Sequence, residues 1–200
     1  MADQKISAMP AAATPLTGAE LVPLVQSGAN VSSTVSLFGD YARTKYFNHA
    51  AFQDVTTQTG SITAGTPFTF NTVDVADGVT LVSGSRLTVP LAGVYNFQWS
   101  GQFQNPENTI EQVTVWLRID GADVPGSAGI IALPARKNPS IVGRVVIGWN
   151  YFLTLTAGQY VEIVWLPSVV SVTAPTYPAS LVTPIHPSTA SVIVTVNQVS

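Results

Sequence analysis

Two hundred residues, 46% of them hydrophobic, suffice for one sizeable core plus an appendage, and they exclude a disordered chain, which would be charge-rich and poor in apolar residues. A net charge of -3 with eight scattered Lys and Arg lacks the footprint of a nucleic-acid binder, and the absence of cysteine removes disulfides and thiolate metal sites. Only 10% of the residues are charged, against roughly 25% in an ordinary soluble domain. Two explanations fit: much of the surface is covered by copies of the chain or by a neighbour, or the chain is a secreted, Thr-rich β domain with a neutral surface.

Residues 1–14 carry Asp3 and Lys5 and no continuous apolar stretch, so no cleaved leader is expected. Nowhere is an apolar run long enough to span a bilayer. The expectation is a protein made in the cytoplasm of its producer, with no membrane partner.

Residues 1–47 read as an N-terminal arm. Ala8-Met9-Pro10-Ala11-Ala12-Ala13-Thr14-Pro15 is small and proline-punctuated, hence extended. Residues 20–26 form a short apolar stretch interrupted by Pro23, which fits an edge strand. A turn at Gly28-Ala29-Asn30 leads to a second β-like run over 30–37, and a brief helical turn fits 37–46. Two such strands bury too little to stand alone, so the arm must dock on its own domain, a symmetry mate or a larger scaffold.

From Ala51 to Ser200 the pattern becomes strands separated by turns, as in a sandwich or barrel. Residues 67–70 and 84–90 are the first two expected strands. Residues 94–103 then alternate, with Tyr95, Phe97 and Trp99 on one face and Asn96, Gln98 and Ser100 on the other. Residues 113–120 repeat the pattern, with Val113, Val115, Leu117 and Ile119 inward, and end in the hairpin dipeptide Asp120-Gly121. Residues 141–155 form a long β stretch in which Gly143 and Gly148 are expected bulges or bends. Residues 160–165 return. Five prolines between 167 and 188 suit a long ordered loop or bent edge strands. The last strand, 191–197, places Val192, Val194 and Val196 on one face and Ile193 on the other.

Catalytic signals are missing. His49 and His186 stand apart, and no nucleophile elbow, paired carboxylates or phosphate-cradling glycine loop occurs. Glu111, Asp120 and Asp123 could offer oxygen ligands to calcium. No spaced acidic loop supports that, and Asp120-Gly121 is explained as a turn. No catalytic residue, metal, cofactor or small-molecule substrate is therefore expected, and the chain is not read as an enzyme.

Two stretches carry a family resemblance. Val89-Pro90-Leu91-Ala92-Gly93-Val94-Tyr95-Asn96-Phe97 resembles the strand-turn-strand motif of tumour-necrosis-factor-like and complement-like jelly rolls, where a Gly-x-Tyr-x-Phe run opens a central strand. Residues 151–161, containing Leu155-Thr156-Ala157-Gly158-Gln159-Tyr160-Val161, resemble the family's second reversal, with Gln159 in place of the usual acidic residue. The resemblance covers 51–200 and implies an all-β jelly-roll β-sandwich that forms a homotrimer. Tyr95, Phe97 and Trp99, with Val192, Val194 and Val196, would then lie either in the sandwich core or near a threefold axis.

The arm resembles the opening of tailed-bacteriophage structural proteins, in which a Lys-Ile-Ser-x-Leu-Pro-Ala start runs into Leu-x-Gly-x-Glu-x-Val-Pro-Val-x-Gln. Here Lys5-Ile6-Ser7-Ala8-Met9-Pro10-Ala11 leads to Leu16-Thr17-Gly18-Ala19-Glu20-Leu21-Val22-Pro23-Leu24-Val25-Gln26. This implies a virion location and an anchoring role for Ile6, Met9, Leu16, Leu21, Val22, Leu24 and Val25. The leading expectation is a capsid decoration or cement protein whose arm binds the major capsid protein or another virion protein. The alternative is a head or tail fibre tip that recognises host-surface carbohydrate, with Tyr177 and Trp116 as contacts.

Overall fold

The computed structural model describes residues 16–46 and 48–200, and the chain separates into two units between residues 45 and 46. The first unit holds strands β1 (Leu21–Gln26) and β2 (Ala29–Thr34) and helix α1 (Val35–Tyr46). The strands pair antiparallel from Leu21 opposite Thr34 to Gln26 opposite Ala29. Every strand of a two-stranded sheet is an edge, where the N–H that Pro23 lacks is not missed. The turn is Ser27-Gly28, both with positive φ (52° and 80°), so Ala29 and Asn30 are strand residues rather than turn residues.

The second β run stops at Thr34, short of the expected 37, and the expected helical turn is a helix of 12 residues. The Thr34 hydroxyl accepts the Leu37 N–H and caps that helix. Ser36, Gly39, Asp40 and Thr44 are poor helix formers, which is why the sequence signals it weakly.

The second unit contains β3 (His49–Asp54), β4 (Gln58–Thr59), β5 (Thr66–Pro67), β6 (Thr72–Asp77), β7 (Thr80–Val82) and β8 (Arg86–Thr88). It continues with β9 (Gly93–Asn105), β10 (Glu111–Ile119), β11 (Ala122–Asp123), β12 (Gly129–Leu133) and β13 (Gly143–Leu155). β14 (Tyr160–Pro167), β15 (Thr173–Ala174) and β16 (Val192–Gln198) complete it. One antiparallel sheet runs β6-β3-β16-β9-β13, with β15 attached to β9 and β4 to β15; the other runs β7-β8-β14-β10-β12, with β5 and β11 at its margins. The main strands cross between the sheets from β8 to β9, β9 to β10, β12 to β13, β13 to β14 and β14 to β16. That winding is a jelly roll, the expected fold class.

Alternation seals the interior. Trp99 and Phe103 of β9 meet Phe68 and, from the opposite sheet, Trp165 of β14; Phe68 stacks on Trp165 at 5.3 Å and Phe103 lies edge-on to it at 5.6 Å. Val113, Val115 and Leu117 of β10 are buried too, opposite Pro167, Trp165 and Ile163 in the β10–β14 ladder.

Several elements differ from expectation. Residues 67–70 are not a strand beyond Pro67: the Phe68 N–H bonds Ile163 O and the Phe70 N–H bonds Gly84 O, so successive donors serve different segments while both rings are buried. The 84–90 strand is reduced to residues 86–88. β13 runs in unbroken register against β9, so Gly143 and Gly148 are not bulges. They are sites of close approach, where a Cβ would sit 1.8 Å from Pro134 O and 2.4 Å from Trp99 O. β3 and β6 lie outside the expected strands. The Ala-rich β3 has little β propensity and is held by pairing with β16 and β6.

Candidate functional site

Tyr95, Phe97, Trp99, Val192, Val194 and Val196 are buried between the two sheets of a single chain. Val194 lies opposite Trp99 and Val196 opposite Phe97 in the β16–β9 ladder. Of the two places open to these six residues, they occupy the core, and none reaches a surface where copies could meet. Tyr95 donates its hydroxyl to Leu91 O at 2.9 Å, and burial pushes its pKa up.

The other half of the alternation faces away from the core. On the outward side of β9 stand Asn96, Gln98, Ser100 and Gln102, and beside them on β16 Ile193, Thr195 and Asn197. β13 adds Val146, Asn150 and Phe152, with Val146 68% and Phe152 61% exposed. Arg144 is the one ionised side chain at the outward positions of β3, β16, β9 and β13, and its guanidinium lies 4.5 Å over the Tyr177 ring. This broad face of amides, hydroxyls and scattered apolar groups shares with interface cores the depletion of charge. The sequence carries this signal in the residues between the core positions, Asn96, Gln98 and Ser100 among them.

The two aromatic contact candidates are committed elsewhere. The Tyr177 hydroxyl donates to Gln104 Oε1 at 2.7 Å, with Arg144 on the ring. Trp116 donates its indole N–H to Asp123 Oδ1 at 2.7 Å, and its ring lies so close to Gly65 that a Cβ there would be 2.4 Å away. Neither offers a free stacking platform.

The carboxylates are also engaged. Ser168 and Thr109 hydroxyls donate to Glu111 and hold its pKa below the ordinary carboxylate range; the Trp116 indole, with Arg118, does the same for Asp123. Asp120 accepts from Gln159 Nε2 and the Tyr160 N–H, which fixes the turn. His186 donates Nδ1 to Pro187 O at 2.7 Å. Asp54, unmarked by any sequence motif, is buried and accepts from the Thr56 N–H and hydroxyl, Thr69 Oγ1 and Asn71 Nδ2. It ties the end of β3 to the 56–71 connection. Among the described residues, no three His, Asp or Glu side chains gather as a metal site would require, and no helix is long and apolar enough to cross a membrane.

In the first unit, the Thr17-Gly18-Ala19-Glu20 segment has a physical role. The Glu20 carboxylate accepts the N–H of Thr17, its hydroxyl and the N–H of Gly18, which together draw the Glu20 pKa down to about 2. Gly18 (φ +89°) approaches Ser36 so closely that a Cβ would stand 2.2 Å from its Oγ, and Gly18 O and Glu20 O accept the N–H groups of Ser36 and Val35. The motif thus fastens the chain to the start of α1. Leu16, Leu21 and Val25 are exposed, and Val22 and Leu24 half-buried. Leu24 and Val25 line a cleft of about 570 Å³ with Val31, Leu37, Phe38 and Tyr41. None of the described side chains from 16 to 42 is buried. Ile6 and Met9 lie outside the described residues.

No known protein-family profile matches the chain, and no curated protein matches it in sequence. Among solved structures, it is similar to the globular domain of zebrafish complement 1qA protein, with 13% identity and a TM-score of 0.46 over 76% of this chain and 98% of that one.

Proposed function

We propose that this chain is a non-enzymatic structural subunit of a tailed-phage virion, a capsid decoration or cement protein. Its jelly roll forms a homotrimer, and its arm binds the major capsid protein or a neighbouring virion protein. The observation that carries the assembly is the nearly charge-free outward face of the β3-β16-β9-β13 sheet. Support for the virion location comes from the resemblance of residues 5–26 to phage anchoring segments.

The mechanism is mechanical. Copies meet across this nearly charge-free face, which in an obligate assembly buries roughly 2,000 Å² or more. Three arms on one body then act together, each added link raising avidity by a factor on the order of 10² when the geometry permits. The exposed Leu21 and Val25 and the cleft residues Leu37 and Phe38 supply the apolar contacts of each arm.

The rival fibre-tip reading rests on Tyr177 and Trp116, whose polar atoms are already bonded within the domain. The deciding experiment mixes the full chain, and separately residues 46–200, with undecorated capsids. The cement reading expects shell binding by the full chain alone. Failure of both to bind shells, with labelled 46–200 binding host cells, would move the protein to a fibre tip.

A further inference from the structure

Residues 163–200 contain no Asp, Glu, Lys or Arg. Within them the chain rises into a finger. Its stem is closed by the Tyr177–Thr189 bridge and by two hydrogen bonds between Ser180 and His186 (N to O 2.9 and 3.2 Å). At its tip Leu181, Val182 and Ile185 are 89%, 75% and 74% exposed, among the most exposed large apolar side chains of the molecule. The finger leaves the sheet where β16 begins and β9 ends, at the end away from His49, where the chain enters β3.

Beside the stem, on the outward face of the same sheet, is a depression of about 310 Å³. Val146, Ile193 and Ala190 of the stem are its apolar lining, Gln53, Ser100, Gln102, Ser188 and Thr189 add amides and hydroxyls, and no charged residue lines it. Each copy therefore carries an uncharged apolar projection and, next to it, an uncharged hollow that its own finger leaves empty.

We infer that the finger of one copy seats in the depression of the next, so that the trimer is closed by three identical head-to-tail contacts. This rests on the homotrimer reading above and supplies its contact. Two different patches of one surface make a heterologous interface, which closes into a ring when the rotation between copies permits. Burying three aliphatic side chains gives such a contact its driving force. A bilayer is a poor occupant, because residues 178–187 lack the Trp, Tyr, Lys and Arg that anchor interfacial segments.

The chain has no cysteine, so introduced thiols report contacts without background. Full-length Leu181→Cys and Val146→Cys proteins are prepared separately, then unfolded and reassembled together, and treated with a short bis-maleimide. Cross-linked pairs are expected in the mixture and in neither variant alone, and the doubly substituted chain should give a covalent trimer. Linking of Leu181→Cys to itself would mean tip-to-tip contact and overturn the proposal, as would a doubly substituted chain linked only within itself.

Light scattering on the same samples separates the two readings. A trimer without cross-links overturns the finger contact and leaves the trimer standing; a monomer overturns both. As a second measurement, Leu181→Ser with Ile185→Ser should leave the fold unchanged and raise the concentration at which the trimer dissociates by at least about tenfold. An unchanged dissociation would contradict the proposal.

Discussion

Phe97 and Val25 are both apolar residues of β-strands, yet Phe97 is sealed between two sheets and Val25 is exposed on a hairpin. The difference follows from layers. In the 46–200 unit two sheets cover each other's inner faces, so each apolar position of β9, β14 and β16 has partners above and beside it. The arm has one hairpin and one helix, too little to enclose anything, and its leucines and valines border an open cleft. Stability therefore resides in the second unit. Within its own unit the arm leaves its apolar residues exposed, and the outer face of β3-β16-β9-β13 carries Arg144 as its one ionised side chain.

The largest break in this comparison is a charge in the core. Phe97→Asp or Val194→Asp leaves an unpaired carboxylate among apolar side chains and should cost at least about 4 kcal/mol, enough to unfold a domain of ordinary stability. Loss of the cooperative thermal transition is the expected readout, and a soluble protein with unchanged melting would contradict the placement of these residues. Asp54→Ala removes the buried acceptor of four hydrogen bonds whose donors, on the exposed Thr56, Thr69 and Asn71, can turn to water, and should destabilise the unit by about 1–2 kcal/mol in chemical denaturation.

Smaller effects on folding sharpen the contrast. Phe152→Asp, on the outer face of β13, should change the folding stability of the isolated subunit by no more than about 0.5 kcal/mol while abolishing the trimer by light scattering. Val25→Asp in the arm should likewise leave the main thermal transition in place and reduce retention on capsids.

The smallest effect is one of pH. The Glu20 pKa is lowered from 4.5 to about 2. A depressed carboxylate contributes stability that is present above the unfolded value and lost as the pH falls through the folded one. The Thr17–Glu20 turn should therefore hold at neutral pH and loosen between about 4.5 and 2. Amide shifts of Thr17 and Gly18 followed by NMR would report it; shifts that move near pH 4.5 would show the carboxylate is not so held.

Much of this division is legible in the sequence, for physical reasons that vary by element. β9, β10 and β16 announce themselves because one face is sealed and the other wet, which forces strict alternation. β3 does not, since Ala50 and Ala51 give no β preference and its pairing with β16 comes from a segment more than a hundred residues away. Phe68 and Phe70 read as a strand from their spacing, but their N–H groups serve two different segments. At Gly148 sequence alone cannot separate a bulge from a close approach. The finger is hidden for another reason: Leu181, Val182 and Ile185 stand among prolines without period, and their exposure depends on the bridges at the stem.

On the proposed function, assembly belongs to residues 46–200 and anchoring to the arm. The measurement that tests it most directly is the mass of the full chain and of residues 46–200 by light scattering, each alone and after mixing with undecorated capsids. Trimers are expected in both cases, with shell binding by the full chain only. A monomeric 46–200 unit, or shells that bind it as well as they bind the full chain, would contradict it.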